Sequence, residues 1–428
     1  MMKILLVNYR YFISGGPERY LFNFKKMYED RGHEIVPFSI HYSKNVESEY
    51  SKYFVSPLGS ADQVYFKEQK SNFSTIRKTI SRLFYSKEVE NSLDRLIIDE
   101  SPDVAYVLHF LRKLSPSVLA SLKKNKIPVV VRLSDFTMFC PQAHCLRDGI
   151  SCFDCIDGKL FNSVKYKCVQ NSYPASILNY LATKYHQMKG YFDLIDYFVT
   201  TNNFSYNLFL KAGFPEDKLK CIETFYDSDV FYKNKGEENN SIVYLGRLDS
   251  LKGCHVLLES LIKIKKLLKS KNISINIIGE GDESYIDNLN SIVNENLKDI
   301  DINFLGPKNS SEICHILNES MASVVPSLCN ENLPNSLIES YACGTPVLAS
   351  DIGSLSINVL DGKTGFLFEA GNSTSLAEKL ESLINDKNNQ HVMSDNALRF
   401  AQEHFSREVH YEKLLKIFTS LNDCSEKA

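Results

Sequence analysis

Short aliphatic and β-branched runs alternate with longer stretches of helical periodicity along this chain of 428 residues, and the alternation occurs in two sets. The first set has strand candidates at 3–7, 34–39, 103–107, 128–133 and 194–200; the second has them at 241–245, 274–278, 302–305, 322–325 and 346–349. Near-continuous apolar strands separated by helix-length segments predict parallel sheets covered by helices on both faces. Two sets predict two α/β domains. The connection and polar loop over 220–238 place the division at 222/223, giving domains at 1–222 and 223–405 and a terminal helix and tail at 406–428.

The composition fits such a pair of domains. Hydrophobic residues make up 43% and charged residues 24%, which argues against disorder. A formal net charge of −3 gives no reason to expect nucleic acid as a partner. No apolar run approaches the length of a membrane span. The first strand follows directly on the start of the sequence, too short for a secretory core and without a cleavage site, so the expected location is the cytoplasm.

Two segments of the second half carry the chemistry. One is Gly246-Arg247-Leu248-Asp249-Ser250-Leu251-Lys252-Gly253, the other Glu331-Asn332-Leu333-Pro334-Asn335-Ser336-Leu337-Ile338-Glu339. Each follows a predicted strand, the place where open α/β sheets bind ligands. Arg247 offers a planar fork of donors to phosphate oxygens and Lys252 a compact ammonium. Glu331 and Glu339 offer acceptors to hydroxyl groups. Pro334 marks a helix start, with Asn332 as its expected cap, and helix starts attract anions. Taken singly, Arg247 with Lys252 reads as a solvated pair and the two Glu as surface residues. Their convergence beyond two strands points to a sugar nucleotide, whose diphosphate needs cations and whose hydroxyls need carboxylates.

The arrangement resembles the retaining family 4 glycosyltransferases of GT-B fold, with their G-R-L-x-x-x-K-G segment and two Glu eight residues apart. The resemblance continues through Gly279-Glu280-Gly281, Phe304-Leu305-Gly306, Val325-Pro326-Ser327, Ala342-Cys343-Gly344-Thr345-Pro346 and Asp361-Gly362-Lys363-Thr364-Gly365. It implies two Rossmann-like domains facing across a cleft, with the last helix crossing back to the first domain. It implies transfer of a hexose-type sugar from a nucleotide donor, most readily a UDP- or GDP-sugar, to a saccharide or lipid-linked saccharide, with retention of configuration. Arg247 and Lys252 would hold the leaving diphosphate, Glu331 the donor sugar and Glu339 the ribose. Gly279, Glu280 and Leu305 would frame the base, with Leu333, Pro334 and Asn335 at the donor. No catalytic cofactor is required. The usual setting of the family is cell-surface polysaccharide synthesis: capsule, O-antigen or exopolysaccharide. A nucleotide-sugar-binding protein without turnover, or an epimerase of the same fold, is the alternative.

The first half supplies the acceptor side. Gly15 and Gly16, after the first strand, match the family's glycine-rich loop facing the donor phosphates; the plain alternative is a tight turn into a helix carrying Glu18 and Arg19. Ser134-Asp135 stands where many relatives have His-Asp, a departure that leaves Asp135, Ser134 and the nearby His109 as acceptor-side candidates. Asn332 where relatives have Gly, and Ile357 where a Glu often follows, are further departures. Asp227-Ser228-Asp229 looks like the metal-binding motif of a different glycosyltransferase fold and reads as loop.

Cys140, Cys145, Cys152, Cys155 and Cys168 crowd one segment, a cysteine-rich insertion at 140–168. Cys152-Phe153-Asp154-Cys155 has the spacing of a two-thiolate clamp, and Cys168 with Cys140, or with Cys145 in its place, would complete a structural zinc site, His144 being a further candidate ligand. Free thiols are the alternative. Phe73, Ile76, Ile80, Leu83 and Phe84 fall at helical spacing with Arg77, Lys78 and Arg82 between them and Lys70 and Lys87 outside. Such a basic amphipathic helix predicts contact with the inner leaflet of a membrane, or packing on its own domain with the cations in water.

Overall fold

The computed structural model describes residues 1–60, 62, 73–234 and 240–425; Lys70 and the central part of the 233–240 loop lie outside them. The strands are β1 (Lys3–Val7), β2 (Glu34–Phe38), β3 (Val104–Val107), β4 (Val129–Leu133), a small hairpin β5 (Leu146–Arg147) and β6 (Ile150–Ser151), then β7 (Tyr197–Thr200) and β8 (Leu219–Cys221). The second half has β9 (Ser241–Leu245), β10 (Ser274–Ile278), β11 (Ile302–Gly306), β12 (Ser320–Val325), β13 (Val347–Ser350) and β14 (Gly365–Phe368). They form two six-stranded sheets, ordered β2-β1-β3-β4-β7-β8 and β11-β10-β9-β12-β13-β14. Every pairing within the two large sheets is parallel.

In both sheets the order reverses beside the first strand, and ligand crevices form at such reversals, outside the carboxyl ends of the strands. The central strands β3, β4 and β12 are buried along their whole length, as sheets sandwiched between helices require. Two edge strands, β8 and β14, are absent from the sequence reading. Both are short, three and four residues, β8 with a lysine at its centre and β14 opening on a glycine.

The last helix, Arg407–Ser425, returns to the first domain. Its Leu414 and Phe418 are buried in the same cluster as Phe24, Tyr28 and Tyr106. His410 Nε2 lies 2.9 Å from the Tyr20 hydroxyl, and His33 Nε2 2.9 Å from that of Tyr411. Arg407 binds Asp30 and Asp229, while Lys26 also reaches Asp229. The carboxylates of Asp227 and Asp229 thus face cations that join the domains.

The helix Phe73–Phe84 departs from the expectation of cations in water. Arg82 is fully buried, donating to Ser56 O and to Glu88 Oε2, each at 3.0 Å, and Leu83 is buried beside it. Ile76 and Ile80 are exposed instead. The helix packs against Tyr173–Met188, whose Tyr173, Ile177, Leu181 and Met188 are also exposed. At 100° per residue those four positions fall within one narrow arc of that helix. Neither helix contains an Asp or Glu. Among the described residues no helix is long and apolar enough to cross a membrane.

Candidate functional site

A cleft of about 1120 Å³ opens between the carboxyl ends of the two sheets. Its second-domain wall is built by close backbone approaches that glycine permits. Gly279 has φ +144°, and a Cβ there would lie 1.9 Å from Gly246 O; Gly253, at φ +70°, would place one 1.9 Å from Pro326 O. Leu248 N donates to Glu280 O at 2.8 Å, and Leu328 N to Leu251 O at 2.7 Å. The loops after β9, β10 and β12 are thereby laced together, which brings Lys252 to Glu331.

Lys252 Nζ is ion-paired to Glu331 Oε1, which also accepts from Ser327 Oγ at 2.8 Å. Arg247 is 75% exposed at the mouth, with Asp249 at 3.4 Å. The helix Asn335–Ala342 begins beneath them with Pro334 at its N-cap and no side-chain cap. Asn332 is not that cap, contrary to the sequence expectation. It reaches the other domain, accepting from Thr201 Oγ1 at 2.7 Å and Ser205 Oγ at 2.6 Å and donating to Leu133 O at 3.0 Å, while Asn202 donates to its carbonyl. A side-chain amide that spans the two domains satisfies more polar groups there than a local cap would.

Glu339 is buried on the first turns of this helix, and Arg19 Nη1 meets its Oε1 at 2.9 Å from across the cleft. Burial pushes the Glu339 carboxyl up to about 7, and Arg19 opposes the shift. Gly16 adjoins the same helix start; a Cβ on it would stand 3.2 Å from Asn335 Nδ2. Gly15, Gly16, Gly279, Glu280, Leu333, Pro334 and Asn335 all line the cleft. Leu305 does not border it and packs with Val243, Ile278 and Ile313 behind the wall.

On the first-domain wall the ends of β3 and β4 bring His109 and Asp135 together, Nε2 to Oδ2 at 3.8 Å. Burial lowers the basicity of His109, and Asp135 opposes it. Ser134 Oγ accepts from Arg132 Nη1 at 3.2 Å. Arg132, missed in the sequence reading, is buried with its guanidinium 3.7 Å from the Tyr20 ring centre and donates to Thr224 Oγ1 at 2.6 Å. A charged residue in the apolar run Val129-Val130-Val131-Arg132-Leu133 was the available signal. Arg10, Arg112 and Lys113 also line this wall, and nothing in their local sequence marks them.

Outside the cleft, Cys140, Cys145, Cys152, Cys155 and Cys168 line one cavity of about 20 Å³. Cys152 N donates to Cys145 O at 2.7 Å. A hydrogen bond from Cys145 brings the Cys140 thiol down to about 6 and raises Cys145 in turn. His144 is exposed and takes no part. As placed, no three His, Cys, Asp or Glu side chains among the described residues are arranged to hold a metal ion.

Comparison with known proteins bears on the second domain and on the fold. The family model described as glycosyl transferases group 1 matches residues 227–400. An uncharacterised glycosyltransferase of Methanocaldococcus jannaschii is 28% identical over 197 residues, 46% of this chain and 52% of that protein. A capsular polysaccharide biosynthesis glycosyltransferase of Staphylococcus aureus is 28% identical over 193 residues, 44% of this chain and 48% of that one. The chain thus spans about half the length of these curated relatives. Among solved structures, the Anabaena protein HepE in complex with UDP and glucose superposes with a TM-score of 0.65 at 16% identity, covering 98% of this chain and 100% of that one. Sucrose-phosphate synthase of Thermosynechococcus elongatus gives 0.69 at 15% identity, covering 99% and 100%. The family match thus lies in the second domain, and the two-domain architecture along the length of the chain is the GT-B fold.

Proposed function

We propose that the protein transfers a hexose-type sugar from a nucleotide donor to a saccharide acceptor with retention of configuration, in the synthesis of a cell-surface polysaccharide. The observation that carries this reading is the convergence of Lys252, Glu331 and the uncapped start of Asn335–Ala342 at the interdomain cleft, with Arg247 at its mouth. Arg247 and Lys252 hold charge as it builds on the departing diphosphate, assisted by the helix start. Glu331 binds the donor sugar, and Glu339 accepts from the ribose hydroxyls. The acceptor attacks from the face the leaving group departs, a donor phosphate oxygen taking its proton. His109, Ser134 and Asp135 orient it. Catalysis then rests on positioning and charge stabilisation, and no divalent cation is needed.

A UDP- or GDP-sugar is the proposed donor. Structural neighbours crystallised with UDP and with UDP-glucose support the choice. The relative in capsule biosynthesis supports the polysaccharide setting. A cytoplasmic protein resting on the inner leaflet is the proposed location, supported by the exposed apolar residues on the acid-free helices Phe73–Phe84 and Tyr173–Met188. A structural Zn²⁺ is the proposed occupant of the cysteine cavity, where Cys140, Cys152, Cys155 and Cys168 would hold it. Five thiols around one small space support it.

The test is a panel of UDP-, GDP-, ADP- and TDP-sugars incubated with the protein, with and without membrane lipid extract, reading released nucleoside diphosphate. Release that depends on the extract is expected. Nucleotide binding with no release under any condition favours a binding protein without turnover, and isomerised donor without acceptor favours an epimerase.

A further inference from the structure

The first-domain wall of the cleft holds more positive charge than its own carboxylates neutralise. Arg10, Arg19, Arg112, Lys113 and Arg132 face Glu18 and Asp135. Arg19 is engaged by Glu339, and Arg10 by Glu18 at 3.7 Å. Of the remaining three, Arg112 and Arg132 donate to neutral groups. Arg112 Nη1 donates to Pro141 O at 2.7 Å, and its buried Nη2 has no hydrogen-bond partner. Arg132 donates to two hydroxyl groups, and its buried Nε has no hydrogen-bond partner either. Lys113 Nζ has the Tyr9 ring at 5.9 Å as its neighbour.

Cations drawn out of water without a counter-ion are costly, so such a group is worth keeping only where an anion arrives. Burial lowers the basicity of both Arg112 and Lys113, the expected mark of that cost; Asp135 opposes the shift at Arg112, and Arg10 adds to it at Lys113. The donor diphosphate already has Arg247, Lys252 and a helix start on the opposite wall. Arg112 and Lys113 lie in the turn that follows β3, closed by Leu114 N and Ser115 N donating to Phe110 O at 2.8 and 2.9 Å. Arg82 Nη1 donates to Lys113 O at 3.4 Å from behind and acts as a positioning residue. The wall therefore has a place for a second anion, on the acceptor's side.

We infer that the acceptor carries an anionic group, a phosphate or a carboxylate, and that Arg112 and Lys113 bind it. The word acceptor rests on the transfer reading above; the anion site does not. Arg112 supplies a planar fork and Lys113 a point charge, the pairing that suits an oxyanion with several oxygens. Arg132 supports the site as a third cation without contacting the group.

The experiment is a calorimetric titration of the protein with UDP already saturating, so that the diphosphate subsite is filled. Glucose 1-phosphate, glucuronate and glucose are the three probes. A charged probe is expected to bind at least about tenfold more tightly than glucose, and Lys113→Gln and Arg112→Gln to remove most of that preference, with UDP affinity changed less than about twofold. Preference for the phosphate or for the carboxylate identifies which anion is recognised. Equal binding of all three probes, or a preference unchanged in both variants, overturns the inference. The comparison of probes on the unaltered protein stands even if Arg112→Gln fails to fold. If UDP does not bind, the transfer reading fails, and the same probes titrated into the free protein still decide the anion site.

Discussion

Arg19, on the first helix of one domain, and Glu339, on the facing helix of the other, form an ion pair 2.9 Å long across the cleft. The carboxylate proposed to receive the ribose is thus also a partner of the opposite domain.

The raised carboxyl of Glu339 makes a pH prediction with a definite sign. Its folded value of about 7 lies above the ordinary 4.5, so the protonated form is favoured on folding. The associated stability is full below 4.5 and is lost as pH rises through about 7. Glu339→Gln should therefore be more stable than the parent at pH 8, by about 3 kcal/mol, with the difference vanishing near pH 4.5. UDP binding should weaken in the same variant. Urea unfolding at the two pH values measures the first effect; a difference independent of pH would assign it to something other than buried ionisation.

Lys252→Ala should leave the fold intact, because Glu331 keeps the Ser327 hydroxyl as a partner. Transfer should fall by about a hundredfold or more, the loss typical when a fixed donor to a developing anion is removed. Arg247→Ala, at an exposed position, should reduce transfer with no change in melting temperature. Unchanged rates in both variants would remove these residues from the mechanism.

Gly279→Ala should be severely destabilising, since its Cβ would overlap Gly246 O and its φ of +144° is strained for any other residue. Gly306→Ala is the control: its φ is +66°, but nothing lies within 4 Å of the added carbon. We expect about 1 kcal/mol for the control and several for Gly279→Ala, read by thermal unfolding. Equal losses would mean that backbone conformation, and not the contact between the two loops, governs the site.

Ile177→Glu combined with Leu181→Glu should release the protein from vesicles rich in phosphatidylglycerol, lowering the bound fraction by about fivefold or more at moderate salt. UDP affinity should stay the same. Co-sedimentation unaffected by these substitutions would rule out the helix Tyr173–Met188 as the contact.

Metal analysis of the protein purified under reducing conditions should find about one zinc per chain, lost in Cys152→Ser with Cys155→Ser and accompanied by a lower melting temperature. A metal-free chain with five titratable thiols from this cluster would leave the cavity as a packing feature.

The architecture was legible because parallel sheets buried on both faces write themselves as apolar runs, and the glycines at 253 and 279 mark contacts that tolerate no side chain. The pairing of Lys252 with Glu331 could be anticipated from two loops leaving neighbouring strands. The role of Asn332 could not, because its partners Thr201, Ser205 and Leu133 lie far away in sequence and a local cap was the simpler reading. Arg82 shows the same limit: its helical spacing suggested a solvated cation, yet the fold supplies Glu88 and two carbonyl groups on the inner side. Arg112 and Lys113 acquire meaning only when the turn after β3 is set beside the cleft.

The return of Arg407–Ser425 onto the first domain bears on how the chain is made. Leu414 and Phe418 complete a core begun by Phe24, Tyr28 and Tyr106. During synthesis the first domain therefore emerges with part of its interior uncovered, and waits for about two hundred more residues to follow. The second domain can close on itself in that interval, so the half of the chain translated first is the half whose folding is finished last.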